Sequence, residues 1–502
     1  MDTPVYFIIE AYDKGYLMVG KFGANYSKYN WLIKTDINGG ILWQKVIGDG
    51  ENAIVFSDMA EDQSGNIYLA GSTMSYDPNG DDPIILKLNP CGEKEWCRIF
   101  YTENNHDFSS CITLTQEGEP IVVLNLSNPD PDIERICLAK LSSEGELLWK
   151  HCYTSADTSQ RDEDTYDLIL TPDSGSLVSG FCYYEDPAVP NLWWLHPYFL
   201  KTDSSGNFEW ETVVYKETNM HGGIAGNTVV SPNGQYYYSS IAHYYHDTNL
   251  ASPALVKLDM DGNVMGVYDV VYGYKEGKLN YAQFMNDSTL AADAGWGNSD
   301  EDLWSRAVII DTLGNLLNST VLMQDLYTSI LQVTYDGKLV YASNTYQNGQ
   351  FDCYLTKLNQ NLEDDTIYTR PFIYDSLCPY QIVSDTIVQD DCGIIVGIEE
   401  PGSGEAGKHG GMEAWGRGGM EVWPNPASDE IHGRLNMDDG RFNKDLTLVI
   451  YDVFGRKMLE IKNIDKQKEF QVGVESYPPG VYIAILKDGL NILESRKFVV
   501  AR

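Results

Sequence analysis

The chain has 502 residues, a formal net charge of −38 and a pI of about 4.4. Such a field repels nucleic acid and anionic membrane surfaces, so neither is an expected partner. No run of eighteen apolar residues occurs, so nothing reads as a transmembrane helix, and 45 Gly with 34 Tyr and few amphipathic helical patterns point to an all-β chain.

The first residues, Met1-Asp2-Thr3-Pro4-Val5-Tyr6-Phe7-Ile8, have no basic start, no long apolar core and no small-residue cleavage site. A signal peptide is therefore expected to be missing from this chain.

From about residue 5 to residue 370 the sequence repeats itself. A strand ending in Lys-x-Asp-x-x-Gly-x-x-x-Trp occurs as Lys34-Thr35-Asp36 with Gly39 and Trp43, and as Lys87-Leu88-Asn89 with Gly92 and Trp96. It returns as Lys140-Leu141-Ser142 with Gly145 and Trp149, and as Lys201-Thr202-Asp203 with Gly206 and Trp210. Lys257-Leu258-Asp259 with Gly262 has lost the tryptophan, and Ile309-Ile310-Asp311 and Lys357-Leu358-Asn359 are degenerate sixth and seventh copies. A Gly-led strand such as Gly65-Asn66-Ile67-Tyr68-Leu69 precedes the motif, and another short β-rich run precedes that. Four strands in about fifty residues is the pattern of a β-propeller blade. Seven copies predict a seven-bladed β-propeller over 1–370, closed so that sheet edges are protected.

The repeated residues have structural reasons. The Asp carboxylate is expected to accept backbone N–H bonds across a tight turn in which Gly takes positive φ. The Trp is expected to wedge between neighbouring blades with its indole N–H bonded there, and the Lys to lie over its ring. Sialidase-type Asp-boxes and quinoprotein blades space Asp and Gly differently. These blades instead resemble propeller repeats that precede sorting domains in secreted bacterial proteins.

Chemistry is sparse. No His-Glu-x-x-His, Gly-x-Ser-x-Gly or phosphate-cradling glycine loop is present, no catalytic residue or metal ligand is identified, and the chain reads as a binding protein rather than an enzyme. His243 and His246 are spaced to point to opposite faces of a strand. Calcium is conceivable at Asp259-Met260-Asp261-Gly262-Asn263 and at Asp77 to Asp82, although polar turns explain both more simply. Aromatic clusters carry the one hint of a ligand. Trp193 and Trp194 lie in the longest insertion of the repeats, and Tyr244 and Tyr245 lie in the next copy. These four are the candidate ligand-binding residues, on loops at one rim of the ring, for a protein or a glycan. The alternative is a polysaccharide hydrolase or lyase with a carboxylate pair at the channel mouth.

Nine cysteines are an odd number. Cys378 and Cys392 bracket a short segment in a connector over 371–400 and could pair with each other, as could Cys91 and Cys97. Buried thiols are expected for Cys111, Cys137, Cys152, Cys182 and Cys353. Residues 401–420 are a Gly-rich linker.

The segment 421–502 carries four motifs in order. Pro424-Asn425-Pro426 comes first, then Tyr451-Asp452 with Gly455-Arg456, then Gly480 with Tyr482, and last Lys497-Phe498 close to the C-terminus. Alternating apolar residues at Leu446, Leu448 and Ile450, and at Val481, Ile483 and Ile485, read as strands. The order resembles the type A C-terminal sorting domain of the type IX secretion system of Bacteroidetes-type bacteria. The resemblance implies a small Ig-like β-sandwich, secretion or attachment at the outer-membrane surface, and the secretion and sortase machinery as partners. Cleavage is then expected in or near the linker.

Overall fold

The computed structural model describes residues 4–21, 28–74, 80–101, 107–127, 134–153, 160–185, 192–215, 220–298, 304–323, 326–347, 350–365, 367–368, 372–388, 391–395, 420–423, 430–435, 446–452, 457–464, 469–478, 480–488 and 491–500. No helix occurs among them. The chain forms two compact units, 1–398 and 399–502.

The first unit is a succession of antiparallel sheets, each made by consecutive strands. Sheet one contains Val5–Glu10, Tyr16–Lys21, Asn30–Thr35 and Ile41–Ile47; sheet two contains Ile54–Glu61, Ile67–Thr73, Asp82–Leu88 and Lys94–Phe100. Sheet three runs Phe108–Leu114, Pro120–Ser127, Glu134–Leu141, Leu147–Tyr153, and sheet four Gln160–Leu170, Ser176–Glu185, Trp193–Thr202, Phe208–Val213. Sheet five is His221–Val230, Tyr236–Tyr245, Leu250–Asp259 and Val264–Asp269; sheet six is Glu276–Phe284, Thr289–Gly297, Trp304–Asp311 and Leu316–Met323. Sheet seven has three strands, Leu326–Val333, Leu339–Gln347 and Gln350–Leu358.

The first strand of each sheet touches the first strand of the next, and that of sheet seven touches that of sheet one, so the sheets close a ring. Both faces of the second strands are buried against neighbouring sheets. Ile67 and Leu69 pack with sheet one, while Tyr68 and Ala70 pack with sheet three. This explains why these strands read as unbroken apolar runs. Fourth strands lie at the outer wall and alternate, as in Ile41–Ile47, where Trp43, Lys45 and Ile47 are buried and Ile41, Leu42 and Gln44 are exposed.

Bulges in the first strands hold the ring together. The pairing register shifts at Phe56/Asp58, Thr165/Asp167, Ala225/Thr228 and Asn280/Gln283. A bulge re-aims the side chains within and just after it, here toward the neighbouring sheet. Asp58 accepts the Ile112 N–H at 2.8 Å, Asp167 the Thr228 N–H at 2.6 Å, Asn227 the Ala282 N–H at 2.7 Å and Gln283 the Val333 N–H at 2.8 Å. Each bond spans from one sheet to the next. Asn344 of sheet seven bonds both the N–H and the C=O of Val5, at 2.8 and 2.7 Å, closing the seam.

The repeated turn forms as its residues require. Asp36, Asp203 and Asp259 each accept two backbone N–H bonds with one carboxylate oxygen, and Gly39, Gly206 and Gly262 adopt φ of 84, 78 and 81°. The tryptophans lie against the next sheet's turn glycine. A Cβ would come within 2.8 Å of Trp96 at Gly145, 2.7 Å of Trp149 at Gly206 and 2.6 Å of Trp210 at Gly262. Trp96 and Trp210 donate their indole N–H to Ser143 O and Met260 O of that neighbouring turn. A Cβ at Gly92 would stand 3.6 Å from Trp43, but the Trp43 N–H goes to Asp375 outside the repeats.

The lysines differ from expectation. Their ammonium groups meet carboxylates: Lys34 pairs with Asp13 at 2.7 Å, and Lys201 with Asp173 and Glu209 at 2.9 and 2.8 Å. Lys34 and Lys201 are buried, and a buried cation needs a compensating charge more than it needs a ring face. Tyrosine rings are used as well, as with Lys257 over Tyr236 of the second strand at 3.7 Å and Lys34 over Tyr12 at 5.2 Å.

The connector is a strap. After sheet seven the chain crosses to sheet one, where the Asn38 side chain bonds the N–H and C=O of Tyr368 at 2.8 and 2.9 Å. Asp385–Ile387 then pairs parallel to the outer strand of sheet one, and Gly393–Ile395 parallel to that of sheet two. The disulfides follow this path. Cys378 bonds Cys91 and Cys392 bonds Cys97, which corrects the expectation that Cys378 and Cys392, or Cys91 and Cys97, pair with each other. An extended strap lays each of its cysteines against a different site on the sheets, so neither local pairing forms. Cys137 and Cys152 lie directly opposite on adjacent strands and form a third disulfide where buried thiols were expected. The thiols of Cys111 and Cys182 are buried.

The second unit has two sheets. One holds Met420–Trp423, Glu430–Leu435 and Glu469–Gly473; the other holds Lys457–Ile464, Leu446–Asp452, Gly480–Asp488 and Asn491–Val500. Ile431, Phe470 and Val472 of the first share a core with Leu448, Ile450, Tyr482 and Phe498 of the second. Tyr482 stacks on Phe498 at 5.6 Å and donates to Pro478 O at 2.7 Å, while Asp452 pairs opposite Tyr482 and Tyr451 opposite Ile483. Gly480 and Lys497 lie on paired strands of the same sheet. Pro424, Asn425, Pro426, Gly455 and Arg456 lie outside the described residues.

Candidate functional site

The candidate ligand residues converge on one corner between sheets four and five. The hairpin of sheet four ends with Tyr184 opposite Trp194 and Glu185 opposite Trp193. In sheet five, His221 lies opposite Tyr245, Gly222 opposite Tyr244, His243 opposite Ser252, and Ala254 opposite Asp269. Alternation along Tyr236–Tyr245 sends Tyr237 and Ile241 into the core shared with sheet four and carries His243 and Tyr245 onward to the rim on the same side.

The Trp194 ring stacks on His246 at 4.1 Å and 29°, and Tyr244 lies 6.5 Å from the same imidazole. Gly222 permits this approach, because a Cβ there would stand 2.6 Å from His246 Nε2 and 2.4 Å from Leu195 O. Trp193 is half-buried at the head of the same strand, where alternation points it to the face opposite Trp194. His243 and His246 take different partners, and His246 lies in the turn just past the strand, so strand alternation does not set its direction.

A second group adjoins it. His243 Nδ1 lies 2.7 Å from Asp269 Oδ1, the Tyr245 hydroxyl donates to Asp269 Oδ2, and His221 Nδ1 lies 3.2 Å from His243 Nε2. Tyr215, on the segment entering sheet five, stacks 5.1 Å from both imidazoles. It does so with a φ of 67°, an uncommon conformation for an aromatic residue and one that costs about 1 kcal/mol. Tyr272 meets Tyr245 edge-on at 5.0 Å.

Burial lowers the pKa of His196, His221 and His246, and neighbouring imidazoles add to the effect. Burial and the adjacent Asp269 carboxylate push the Tyr245 hydroxyl far up, so it stays a donor. No group of three or more His, Cys, Asp or Glu side chains among the described residues is arranged to hold a metal ion. At Asp259, one calcium candidate, both carboxylate oxygens are engaged by the turn, including the Asn263 amide at 2.9 Å. Asp77 lies outside the described residues.

Sequence reasoning located Trp193, Trp194, Tyr244 and Tyr245 but missed His221, Asp269, Tyr215 and Tyr272. One signal was present: four of the chain's eight histidines fall between His196 and His246.

Residues 421–501 match a family model described as a secretion system C-terminal sorting domain. This segment is a type IX sorting domain. The sorting domain implies secretion or attachment at the outer-membrane surface, and the secretion machinery as a partner. No curated protein matches the chain. Among solved structures, the chain is similar to a protein of unknown function from Bacteroides caccae, at 11% identity and a TM-score of 0.36, over 61% of this chain and 93% of that one. It is also similar to the periplasmic gluconolactonase PpgL of Pseudomonas aeruginosa, at 11% and 0.38 over 70% and 97%. A third likeness is to the β-propeller domain of the Trilobed protease from Pyrococcus furiosus, at 10% and 0.42 over 73% and 96%. The β-propeller architecture ahead of the sorting domain rests on the closed ring of sheets.

Proposed function

We propose that the chain is an exported seven-bladed β-propeller that binds a glycan or protein at the cell surface without catalysis, delivered by a cleavable Ig-like sorting tail. The observation that carries this reading is the corner between sheets four and five, where Trp194, Tyr244 and Tyr245 gather with four histidines at the turn ends of the hairpins made by the second and third strands. Aromatic faces beside hydrogen-bonding imidazoles and a carboxylate suit a sugar ring, which presents C–H faces and hydroxyl edges together. Sortase cleavage belongs in or near the 401–420 linker.

An extracellular polysaccharide hydrolase or lyase is the second reading, favoured by the linked Asp269, His243 and His221 side chains, an arrangement able to move a proton. Glycan-array binding by the full chain, with and without calcium and with turnover assayed on every hit, separates the two. Saturable binding of intact glycan, weakened about tenfold or more in Trp194→Ala or Tyr245→Ala, supports the binding module. Product formation moves the protein to the enzyme class, and a blank array directs the search to a protein partner.

A further inference from the structure

The hydrogen bonds at this corner have a directionality that ring stacking alone lacks, and its use in recognition rests on the corner being the ligand site proposed above. An ionised Asp269 is an acceptor only, so the Nδ1 of His243 that faces it at 2.7 Å carries a proton. While His243 is neutral, its Nε2 is then an acceptor, and His221 Nδ1, 3.2 Å away, must donate to it. That leaves His221 Nε2 as a lone pair. The hydroxyl of Tyr245 occupies the other Asp269 oxygen and keeps the carboxylate from turning away. A single added proton reverses the outer end of the chain, giving His221 Nε2 an N–H, with the positive charge shared between His221 and His243.

We propose that Asp269, His243 and His221 make this corner a proton-dependent glycan site, whose outer imidazole accepts hydrogen bonds from neutral sugar hydroxyls near neutral pH and, as the end of a positively charged imidazole pair, donates to the carboxylate of a uronic acid residue at acid pH. His221 is the specificity-determining residue, and Asp269 and His243 are positioning residues that set its tautomer. The groups around His221 are Tyr215 from the segment entering sheet five, His243 and Tyr245 from its second strand, His246 and Asp247 from the turn after that strand, and Asp269 from its fourth strand. Burial and His243 oppose the proton, while Asp247 and Asp269 favour it. The balance holds His221 below the usual histidine value, so the reversal falls on the acid side of about pH 6.5.

The test uses the full chain carrying 15N-histidine, whose eight histidines give a sparse spectrum. At about pH 7.5 both His221 and His243 are expected as the Nδ1–H tautomer, and Asp269→Asn is expected to disturb both. Calorimetry then measures polygalacturonate and cellohexaose at about pH 5 and about pH 7.5. Polygalacturonate is expected to bind about tenfold tighter at the acid pH. That gain disappears in His221→Gln, which is compared with the parent at each pH so that the net charge of the protein cancels. An Nε2–H tautomer at His221, or a polygalacturonate pH response that His221→Gln leaves intact, overturns the proposal. Failure of both sugars to bind at either pH instead overturns the glycan reading on which it rests.

Discussion

At the residue scale, the side chains at the bulges decide how the ring responds to pH. Asp58 and Asp167 each reach from one first strand to a backbone N–H of the next, and burial pushes both carboxyls up to about 7. A carboxyl whose pKa is raised on folding contributes stability that is complete below its unfolded value near 4 and lost as pH rises through about 7. Asn227 occupies the corresponding place in sheet five, bonding both the N–H and the C=O of Ala282 without a charge. Asp58→Asn and Asp167→Asn should therefore flatten the decline between about pH 5 and 7.5 by on the order of 1 kcal/mol each. Thermal unfolding at the two pH values checks this. Variants that decline as steeply as the parent would show that these carboxyls are ionised throughout.

The strap is the element whose stability depends on its surroundings. Its strand pairs with sheets one and two are three residues long, Asp385–Ile387 and Gly393–Ile395. Its ion pairs, Lys45 with Asp385 and Lys94 with Asp391, involve exposed carboxylates and add little. The disulfides Cys91–Cys378 and Cys97–Cys392 join positions 287 and 295 residues apart, the spacing at which a cross-link restricts the unfolded chain most. Reduction should thus free the strap before the ring opens, with chymotrypsin cutting at exposed Tyr380 only after the disulfides are reduced. A strap equally protected with and without reductant would mean that strand pairing alone holds it. An oxidising destination, implied by the sorting domain, is where such cross-links form.

For the whole molecule, the chain divides into two compact units, each with its own hydrophobic clusters. The core of the second unit draws on Ile431, Leu448, Tyr482 and Phe498 and shares no residue with the cores between the sheets of the first. A chain ending at residue 398 should keep the Tm of the ring within about 2 °C, because it loses no residue of those cores. The same truncation should abolish delivery to the cell surface, since the sorting domain is gone. A lower Tm, measured by calorimetry, would show that the ring depends on its tail. Surface delivery of the truncated chain would show that the address lies elsewhere.

The repeat, its four-strand unit, the Asp–Gly turns, the wedged tryptophans and the sorting motifs were all legible in the sequence, because each depends on residues close together in the chain. A turn needs its Asp and Gly within a few positions, and a strand with two buried faces announces itself as a continuous apolar run. The aromatic half of the candidate site was legible for the same reason, as neighbouring pairs at the ends of strands. What the sequence left open depends on which distant segments become neighbours. The Cys378 and Cys392 partners lie 287 and 295 residues away and were settled only by the path of the strap along sheets one and two. Asp269, His243 and His221 come from three strands of one sheet, and no spacing rule links an outer strand to an inner one. Local patterning determined the ring and its delivery; closure of the ring decided which charges, rings and thiols meet.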